Sequence, residues 1–153
     1  MSDHVIQQLR SALASALTGL TTTGARVHKS RGAVVRLKAT ELPALYVGMP
    51  RESLESLTVH YPMHQQRTVE VPIVALAKDD DDVEAVLLQV QNEVEVKLGS
   101  AAPATLLSIG VRSLELTDTD PQLDVGLEIP AGQLALNWRA QLFTVAGVPG
   151  TFA

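Results

Sequence analysis

The side chains whose spacing comes closest to a metal site are two histidines and a run of four aspartates. His60 and His64 are four residues apart, a spacing that on a helix would place both imidazoles on one side. Pro62 stands between them and argues against a helix, and no HExxH glutamate accompanies them. The run Asp79–Asp82 lacks the alternate acids, central glycine and distal glutamate of an EF-hand loop. We therefore interpret the histidines as part of a polar loop or strand end, and the aspartates as the N-terminus of a helix.

Motifs for nucleophilic catalysis and nucleotide binding are absent from the 153-residue chain. It contains no GxSxG, GxGxxG or GxxxxGK[ST] sequence. It also has no cysteine, which excludes disulfides, thiolate metal sites and cysteine nucleophiles. We therefore predict a protein that is not an enzyme, with no catalytic residue, no cofactor and no metal. A small metal-assisted hydrolase using His60, His64 and the Asp79–Asp82 carboxylates is the alternative from a different functional class.

Charge is unevenly distributed along the sequence. The net charge is −5, but residues 1–51 carry +5 and residues 52–153 carry −10. Five cations with no acid among them fall within one stretch: Arg26, Lys29, Arg31, Arg36 and Lys38. No aromatic side chain is interleaved with them, so a stacking platform for single-stranded nucleic acid is not indicated. Two interpretations are open, a solvated loop and edge strand, or a surface that meets phosphates or an acidic protein.

Two amphipathic helices must help to position these side chains. Apolar residues recurring every three or four positions predict a helix from Asp3 to about Gly19, capped by Ser2 or Asp3. A second stripe follows the aspartates and predicts a helix that ends at Gly99. Its members are Val83, Val86, Leu87, Val90, Val94 and Leu98.

Apolar and alternating runs predict the first strands. A short strand is expected over Arg26–Lys29 and a buried one over Ala44–Val47. Residues 50–63 begin a further strand that turns back into the next one. Arg67–Ala77 alternates and places Val69, Val71, Ile73, Ala75 and Ala77 on one face. Pro72 cannot donate to a ladder, so it indicates an edge or a bulge at that point.

Two strands close the chain, over Ser113–Thr117 and Gln133–Thr144. The second has an apolar face on which Trp138, the single tryptophan, is expected to anchor the core. Between them, Val125–Ile129 alternates, and it either lengthens a neighbouring strand or forms a projecting arm. The opposite face of the last strand carries Asn137, Arg139 and Gln141, so we expect it to meet water or a partner.

The predicted architecture is one α+β domain over residues 1–153. It is a two-layer sandwich with a mixed sheet of about four to five strands, two helices on one face, and a projecting hairpin or loop arm. No apolar run reaches the roughly 20 residues that a membrane span requires. The N-terminus lacks the basic-then-apolar pattern of a signal peptide.

Several segments, taken in order, resemble the tail terminator (tail completion) proteins of long-tailed bacteriophages. The similarity is carried by the N-terminal helix running into LTGLTTTGARVHKSR, the strands ELPALYV and RTVEVPIVALAK, the acid-capped helix DDDDVEAVLLQVQNEVEVKL, and LELTDTDPQLDV with GQLALNWRAQLFTVAG. The sequence departs from the family at Pro72, in a strand usually free of proline. It departs again at Leu142-Phe143-Thr144, where the family has a tyrosine-arginine-threonine phrase.

The resemblance implies a structural virion protein of the tail or neck, assembled in the host cytoplasm. Members of the family are small α+β subunits that form a hexameric ring on the last ring of the tail tube. This ring stops tube polymerisation and provides the surface to which the connector of the filled head attaches. The implied partners are further copies of the chain, the major tail tube protein and head–tail connector proteins, with no membrane. Genomic DNA passes through the lumen of such a ring without specific binding.

The resemblance and the uneven charge together suggest which residues make contacts. The cations between Arg26 and Lys38 are candidates for a subunit interface or for the lumen, because a basic surface complements an acidic neighbour. Candidate contacts to the tube or to the next subunit lie in Pro50–Pro62 and Gln122–Ile129, namely Arg51, Glu52, Glu55, His60, Asp124 and Glu128. Another neck protein, such as a head-to-tail stopper or adaptor, is the alternative within the same functional class.

Overall fold

A computed structural model describes residues 3–30, 39–79, 81–99, 106, 110–124 and 131–152. These residues form two α-helices, α1 (Val5–Leu17) and α2 (Val83–Gly99), and a short 3-10 helix (Ala39–Glu41). Seven strands accompany them: β1 (Val27–His28), β2 (Ala44–Val47), β3 (Arg51–Ser56), β4 (His64–Lys78), β5 (Ser113–Asp124), β6 (Ala131–Val145) and β7 (Val148–Phe152). The fold is α+β, as predicted, and β7 is an addition to the predicted strands.

All seven strands belong to one mixed sheet in the order β1-β2-β4-β6-β5. β1 is parallel to β2, and the other pairings are antiparallel. β4 and β6 form the centre, and β6 pairs with β4 along its whole length. On the other side of β4, β2 pairs with residues 73–76 and β3 with residues 65–70. β5 and β7 share the outer side of β6 in the same way, so the sheet has two lateral edges.

The hydrophobic core lies between the helices and one face of the sheet. α1 contacts β1, β2 and β7, and α2 contacts β4, β5 and β6. The helix-facing side chains of the two central strands are buried, as predicted: Val69, Val71, Ile73, Ala75 and Ala77 of β4, and Leu134, Leu136, Trp138, Ala140 and Leu142 of β6. Burial of one large apolar side chain stabilises the fold by roughly 1.5–3 kcal/mol. The alternation of apolar and polar residues therefore determines which face of the sheet receives the helices.

The two helices begin at side-chain caps. His4, rather than the expected Asp3, caps α1, because its Nδ1 atom accepts a hydrogen bond from the Ile6 N–H at 3.1 Å; Ser2 lies outside the described residues. Asp82 caps α2 by accepting from the Ala85 N–H at 3.0 Å. Asp79, Asp81 and Asp82 thus lie at the N-terminus of a helix, as predicted, where the positive end of the helix dipole favours negative charge. Asp80 lies outside the described residues.

Pro72 lies in a central strand, so the prediction of an edge or a bulge was wrong. It pairs opposite Asn137 of β6 with no register shift between β4 and β6. Its carbonyl accepts from the Gly48 N–H at 2.8 Å, so its backbone polar groups point toward the other flank of β4. On that side of β4, residue 72 lies between the segment paired with β2 and the segment paired with β3. No strand there requires a hydrogen bond from the N–H that proline lacks. Gly48 packs so closely on the proline ring that a Cβ there would approach Pro72 Cγ to 2.7 Å.

β5 is longer than predicted and contains a register shift between Leu116 and Asp118. It continues to Asp124, so the first residues of the expected arm, Gln122–Asp124, are paired with β6. The remainder, Val125–Ile129, lies outside the described residues, and so does Arg31–Lys38 of the basic stretch. Within the described ranges, neither helix is long and apolar enough to cross a membrane.

Candidate functional site

Cationic side chains gather at the lateral edge of the sheet where β1 lies. Lys29 is exposed directly after β1, and its Nζ atom lies 3.3 Å from Ser11 Oγ of α1. The guanidinium of Arg10, also on α1, donates to the Lys29 carbonyl. We call Arg10, Arg26 and Lys29 the basic edge. Sequence reasoning missed Arg10, whose only signal was a single cation on the polar side of the first helix.

Arg26 of the basic edge is held by its own chain. Its Nε atom donates to the Pro43 carbonyl at 2.8 Å, and its Nη2 atom donates to the Thr22 carbonyl at 2.8 Å. These bonds tie the turn after α1 to the entry of β2. Arg26 is therefore positioned as a structural side chain, and Lys29 is the more exposed candidate cation. The other candidates, Arg31, Arg36 and Lys38, lie outside the described residues.

Acidic side chains gather at the opposite lateral edge, on β5. Three acids of β5 pair with every second residue of β6: Glu115 with Arg139, Asp118 with Asn137, and Asp120 with Ala135. The three acids consequently share one face of β5, the face directed away from the helices. An unbroken strand would have sent Glu115 and Asp118 to opposite faces, so the bulge between Leu116 and Asp118 aligns them. We call these three residues the acidic edge.

Sequence reasoning did not single out the acidic edge. The signal was present in the alternating acids of TDTD, but the bulge that adds Glu115 to the same face has no marker in the sequence. Two of the ion pairs in the described part of the chain involve Arg139, which lies 3.5 Å from Glu70 and 3.8 Å from Glu115. All three side chains are substantially exposed, so each pair contributes only about 0–1 kcal/mol.

β3 and the turn after it form a hairpin with β4, and four candidate contact residues lie in it. Arg51 and Glu55 are exposed on β3, and His60 is exposed in the turn. Glu52 has an internal role, because its carboxylate accepts from Arg67 Nη1 at 2.8 Å. Arg67 is only 6% exposed, and its Nε atom donates to Thr144 Oγ1 of β6 at 2.9 Å. Glu52 therefore anchors the hairpin to the sheet.

The residues of the metal-assisted alternative are separated by the fold. His60 lies in the turn before β4, His64 is the first residue of β4, and the aspartates begin directly after its last residue. Fifteen residues of extended chain place these groups roughly 45 Å apart. Among the described residues, no group of three or more histidine, aspartate or glutamate side chains is arranged to hold a metal ion. The site proposed for a hydrolase is therefore not assembled.

Asp79 has a local role beside α2. Its Oδ1 atom accepts from the N–H groups of Asp81 and Asp82 at 2.8 and 3.0 Å. The bonds from Asp82 and then from Asp81 lower the pKa of the Asp79 carboxyl below its ordinary value of 3.8, because they favour the charged form. Hydrogen bonds within the chain therefore give Asp79 a structural role that requires no bound ligand.

Of the remaining candidates, Asp124 is the last residue of β5, opposite Ala131, and Glu128 lies outside the described residues. The described candidate residues therefore do not form a catalytic pocket. They are distributed over two oppositely charged edges and one hairpin, an arrangement that can make contacts between macromolecules.

Comparison with known proteins identifies no family. No protein-family model matches the chain, and no curated protein matches it. Among solved structures, the chain is similar to one from the "Virion of native gene transfer agent (GTA) particle". The two share 15% sequence identity with a TM-score of 0.47, over 90% of this chain and 92% of the other.

Proposed function

We propose that the protein is a structural subunit of a phage-like tail, which closes into a ring and terminates the tail tube. The observation that carries this proposal is the placement of opposite charges on opposite lateral edges of one sheet. The basic edge includes the exposed Lys29 beside β1, and the acidic edge presents Glu115, Asp118 and Asp120 on β5. In the sheet order β1-β2-β4-β6-β5, these two edges are as far apart as the sheet allows.

Opposite patches on one subunit favour head-to-tail association. When two different patches of identical subunits meet, the contact is heterologous and repeats from copy to copy, so it closes into a ring if the rotation allows. Complementary charge guides such an encounter and selects its register. Within the described residues, Asp118 and Asp120 have no ion-pair partner, so both are available to cations of a neighbour.

The resemblance to tail terminators supports the specific role within a virion. The segments that carry it correspond to α1, β2, β4, α2, β5 and β6, which together build the core and the acidic edge. The resemblance adds three expectations: six copies in the ring, a position on the last ring of the tail tube, and a surface that binds the head connector. Arg31, Arg36 and Lys38 continue the basic stretch after Lys29, and we assign them to the same seam or to the lumen.

A charge-swap experiment tests the ring. Lys29→Glu with Arg31→Glu reverses the basic side, and Asp118→Lys with Asp120→Lys reverses the acidic side. We expect each reversal to weaken self-association at least about tenfold, and an equimolar mixture of the two variants to form mixed contacts. Light scattering and negative-stain microscopy, without and with tail tubes, should show a six-fold ring of six times 16.3 kDa for the natural sequence.

The matched control is Lys78→Glu, which reverses an exposed lysine at the last residue of β4, a central strand that forms neither lateral edge. It should leave association unchanged. Reversal of Arg31 and Arg36 together should likewise reduce ring formation or head joining if these residues face the seam. Unchanged oligomerisation in all the edge variants would contradict the proposal, whereas a closed ring with another copy number would favour a different neck protein.

A further inference from the structure

β3 is an exposed strand with an unpaired outer side. All of its residues, Arg51–Ser56, are exposed, and the strand pairs with β4. Among the described residues, no other strand pairs with β3. The strand contains no proline, so each of its residues retains a backbone N–H. An edge strand of this kind presents a row of N–H and C=O groups with which a further strand can pair.

The register with β4 determines which backbone groups of β3 face outward. Directly after β3, the Leu57 N–H donates to the His64 carbonyl at 2.7 Å, so these two residues form a hydrogen-bonded pair. Hydrogen-bonded and non-hydrogen-bonded pairs alternate along an antiparallel ladder, so the odd-numbered residues of β3 direct their backbone groups toward β4. The N–H and C=O groups of Glu52, Leu54 and Ser56 therefore point away from β4, toward the unpaired side.

Two charged residues of β3 have no ion-pair partner in the described part of the chain. Arg51 and Glu55 are four residues apart, so they lie on the same face of the strand. Glu70 stands across the ladder from Arg51, but its carboxylate lies 3.5 Å from Arg139 instead. Glu52, on the other face, differs because it already forms an internal ion pair. Arg51 and Glu55 are therefore the two charges of β3 that are available to a partner.

These two charges are arranged symmetrically about Ser53. Arg51 comes two residues before Ser53, and Glu55 comes two residues after it. If two β3 strands pair antiparallel about Ser53, Arg51 of each copy lies directly opposite Glu55 of the other copy. Opposite charges in this position stabilise a pair of strands, whereas like charges destabilise it. The same register places Glu52 opposite Leu54 of the other copy, so their outward N–H and C=O groups form about four hydrogen bonds across the axis.

Exposed apolar side chains at the two ends of β3 match in the same register. Met49 is 71% exposed and Leu57 is 50% exposed. They stand four residues before and four residues after Ser53, so Met49 of each copy faces Leu57 of the other. Exposed apolar side chains that cluster on one element mark an interaction surface. The charges, the backbone groups and the apolar side chains of β3 are thus all complementary to a second β3.

We propose that β3 is a self-pairing edge, through which two copies of the chain join about a two-fold axis at Ser53 into one continuous sheet. The contact is isologous, because both copies use the same residues, and it is complete when two copies have joined. It differs in this respect from the head-to-tail contact between the basic and acidic edges. The inference goes beyond the proposed function and does not depend on it.

The absence of cysteine from the chain makes the register directly testable. Ser53→Cys places two thiols opposite each other on the axis, where cross-strand Cβ atoms are about 4.5–5.5 Å apart. Mild oxidation should therefore give a disulfide-linked homodimer. Ser56→Cys is the matched control, because it changes another exposed serine of the same strand. The proposed register separates the two copies of residue 56 by roughly 20 Å, so this variant should give about tenfold less linked dimer.

Charge reversal tests the two ion pairs of the contact. Arg51→Glu alone, or Glu55→Arg alone, places like charges opposite each other twice and should weaken dimerisation at least about tenfold in sedimentation equilibrium. The double variant, with both Arg51→Glu and Glu55→Arg, restores opposite charges and should recover the natural affinity. An equimolar mixture of the two single variants should form a dimer of one copy of each. Circular dichroism checks that these exposed substitutions leave the fold unchanged.

A variant of the acidic edge separates this contact from the proposed ring. In a chain carrying Asp118→Lys and Asp120→Lys, the dimer through β3 should persist although the head-to-tail contact is lost. Equal cross-linking by Ser53→Cys and Ser56→Cys would overturn the inference, and so would single charge reversals that leave dimerisation unchanged. A dimer through β3 in a natural chain that forms no ring would support the inference while contradicting the proposed function.

Discussion

The two faces of the central strands are built from neighbouring residues but perform different tasks. On the helix side, Trp138 is 2% exposed and packs in the core, while the next residue, Arg139, lies on the other face between Glu70 and Glu115. Period-two alternation sends consecutive side chains to opposite faces, so a single residue step separates folding from surface chemistry. Stability is therefore concentrated on one face, while the other face and the edges remain available for contacts.

Replacing the adjacent residues Trp138 and Arg139 should give the largest difference between the faces. Trp138→Ala removes a large buried side chain and should lower the free energy of unfolding by about 3–5 kcal/mol. Arg139→Ala breaks only two exposed pairs and should change it by at most about 2 kcal/mol. Urea unfolding followed by circular dichroism measures both. Similar losses for the two variants would show that the outer face also contributes to folding.

Arg67 is a buried charged residue on the helix side, and its replacement should have an intermediate effect. Arg67→Met keeps the buried volume but leaves the hydroxyl of Thr144, which is fully buried, without its partner. We expect a loss of about 1–3 kcal/mol in the free energy of unfolding. Faster hydrogen exchange in the amides of β3 should accompany it, because Glu52 also loses its contact with β4.

Adding Thr144→Val to Arg67→Met removes the unpaired hydroxyl and so serves as the internal control. The double variant should be less destabilised than the sum of the single variants, because the two residues are coupled. Strict additivity would mean that Arg67 acts through packing alone.

The smallest expected effect concerns acid stability at the start of α2. The lowered pKa of Asp79 means that the folded state favours the charged carboxylate. Its contribution is present above the unfolded value near 3.8 and is lost as the pH falls through the lower folded value. Asp79→Asn retains an acceptor oxygen but removes the charge, so it should reduce the loss of stability between about pH 5 and pH 2.

The control for this variant is Asp81→Asn, which removes the same charge two residues later. Asp81 takes part through its backbone N–H rather than through its carboxylate. Urea midpoints measured across this pH range should therefore follow the natural sequence more closely for Asp81→Asn than for Asp79→Asn. An identical pH dependence in both variants would contradict the local hydrogen-bond explanation.

Much of the fold could be predicted because burial leaves a period in the sequence. The extent of β2 and the buried stripe of α2 agree with the predictions, since each depends on local alternation or helical spacing. The hairpin was harder, because every residue of β3 is exposed and no alternation marks it. β7 was missed for a similar reason, as its five residues are exposed or only half-buried. Pro72 misled the prediction because its missing N–H faces a break between two strands.

The candidate site was predictable in composition but not in arrangement. The cations that flank β1 and the acids of β5 can be predicted from the sequence, and so can the absence of charge at residues 57–63. The bulge that aligns Glu115 with Asp118, and the capture of Arg26 and Glu52 by internal partners, arise from register and from contacts between distant segments. Such contacts depend on which strand lies beside which, and this has no local signature.

The sequence by itself determined the α+β class, the two helices, the buried faces of the central strands and the uneven charge. Each of these follows from the short-range chemistry of neighbouring residues. Only the tertiary structure decided that β1 and β5 lie at opposite edges of one sheet, and that the uncharged turn projects from its own hairpin. The physical reason is that strand order depends on contacts between residues far apart in the chain. The fold therefore places the cations beside β1 and the acids of β5, which lie in different parts of the sequence, at opposite edges of one sheet.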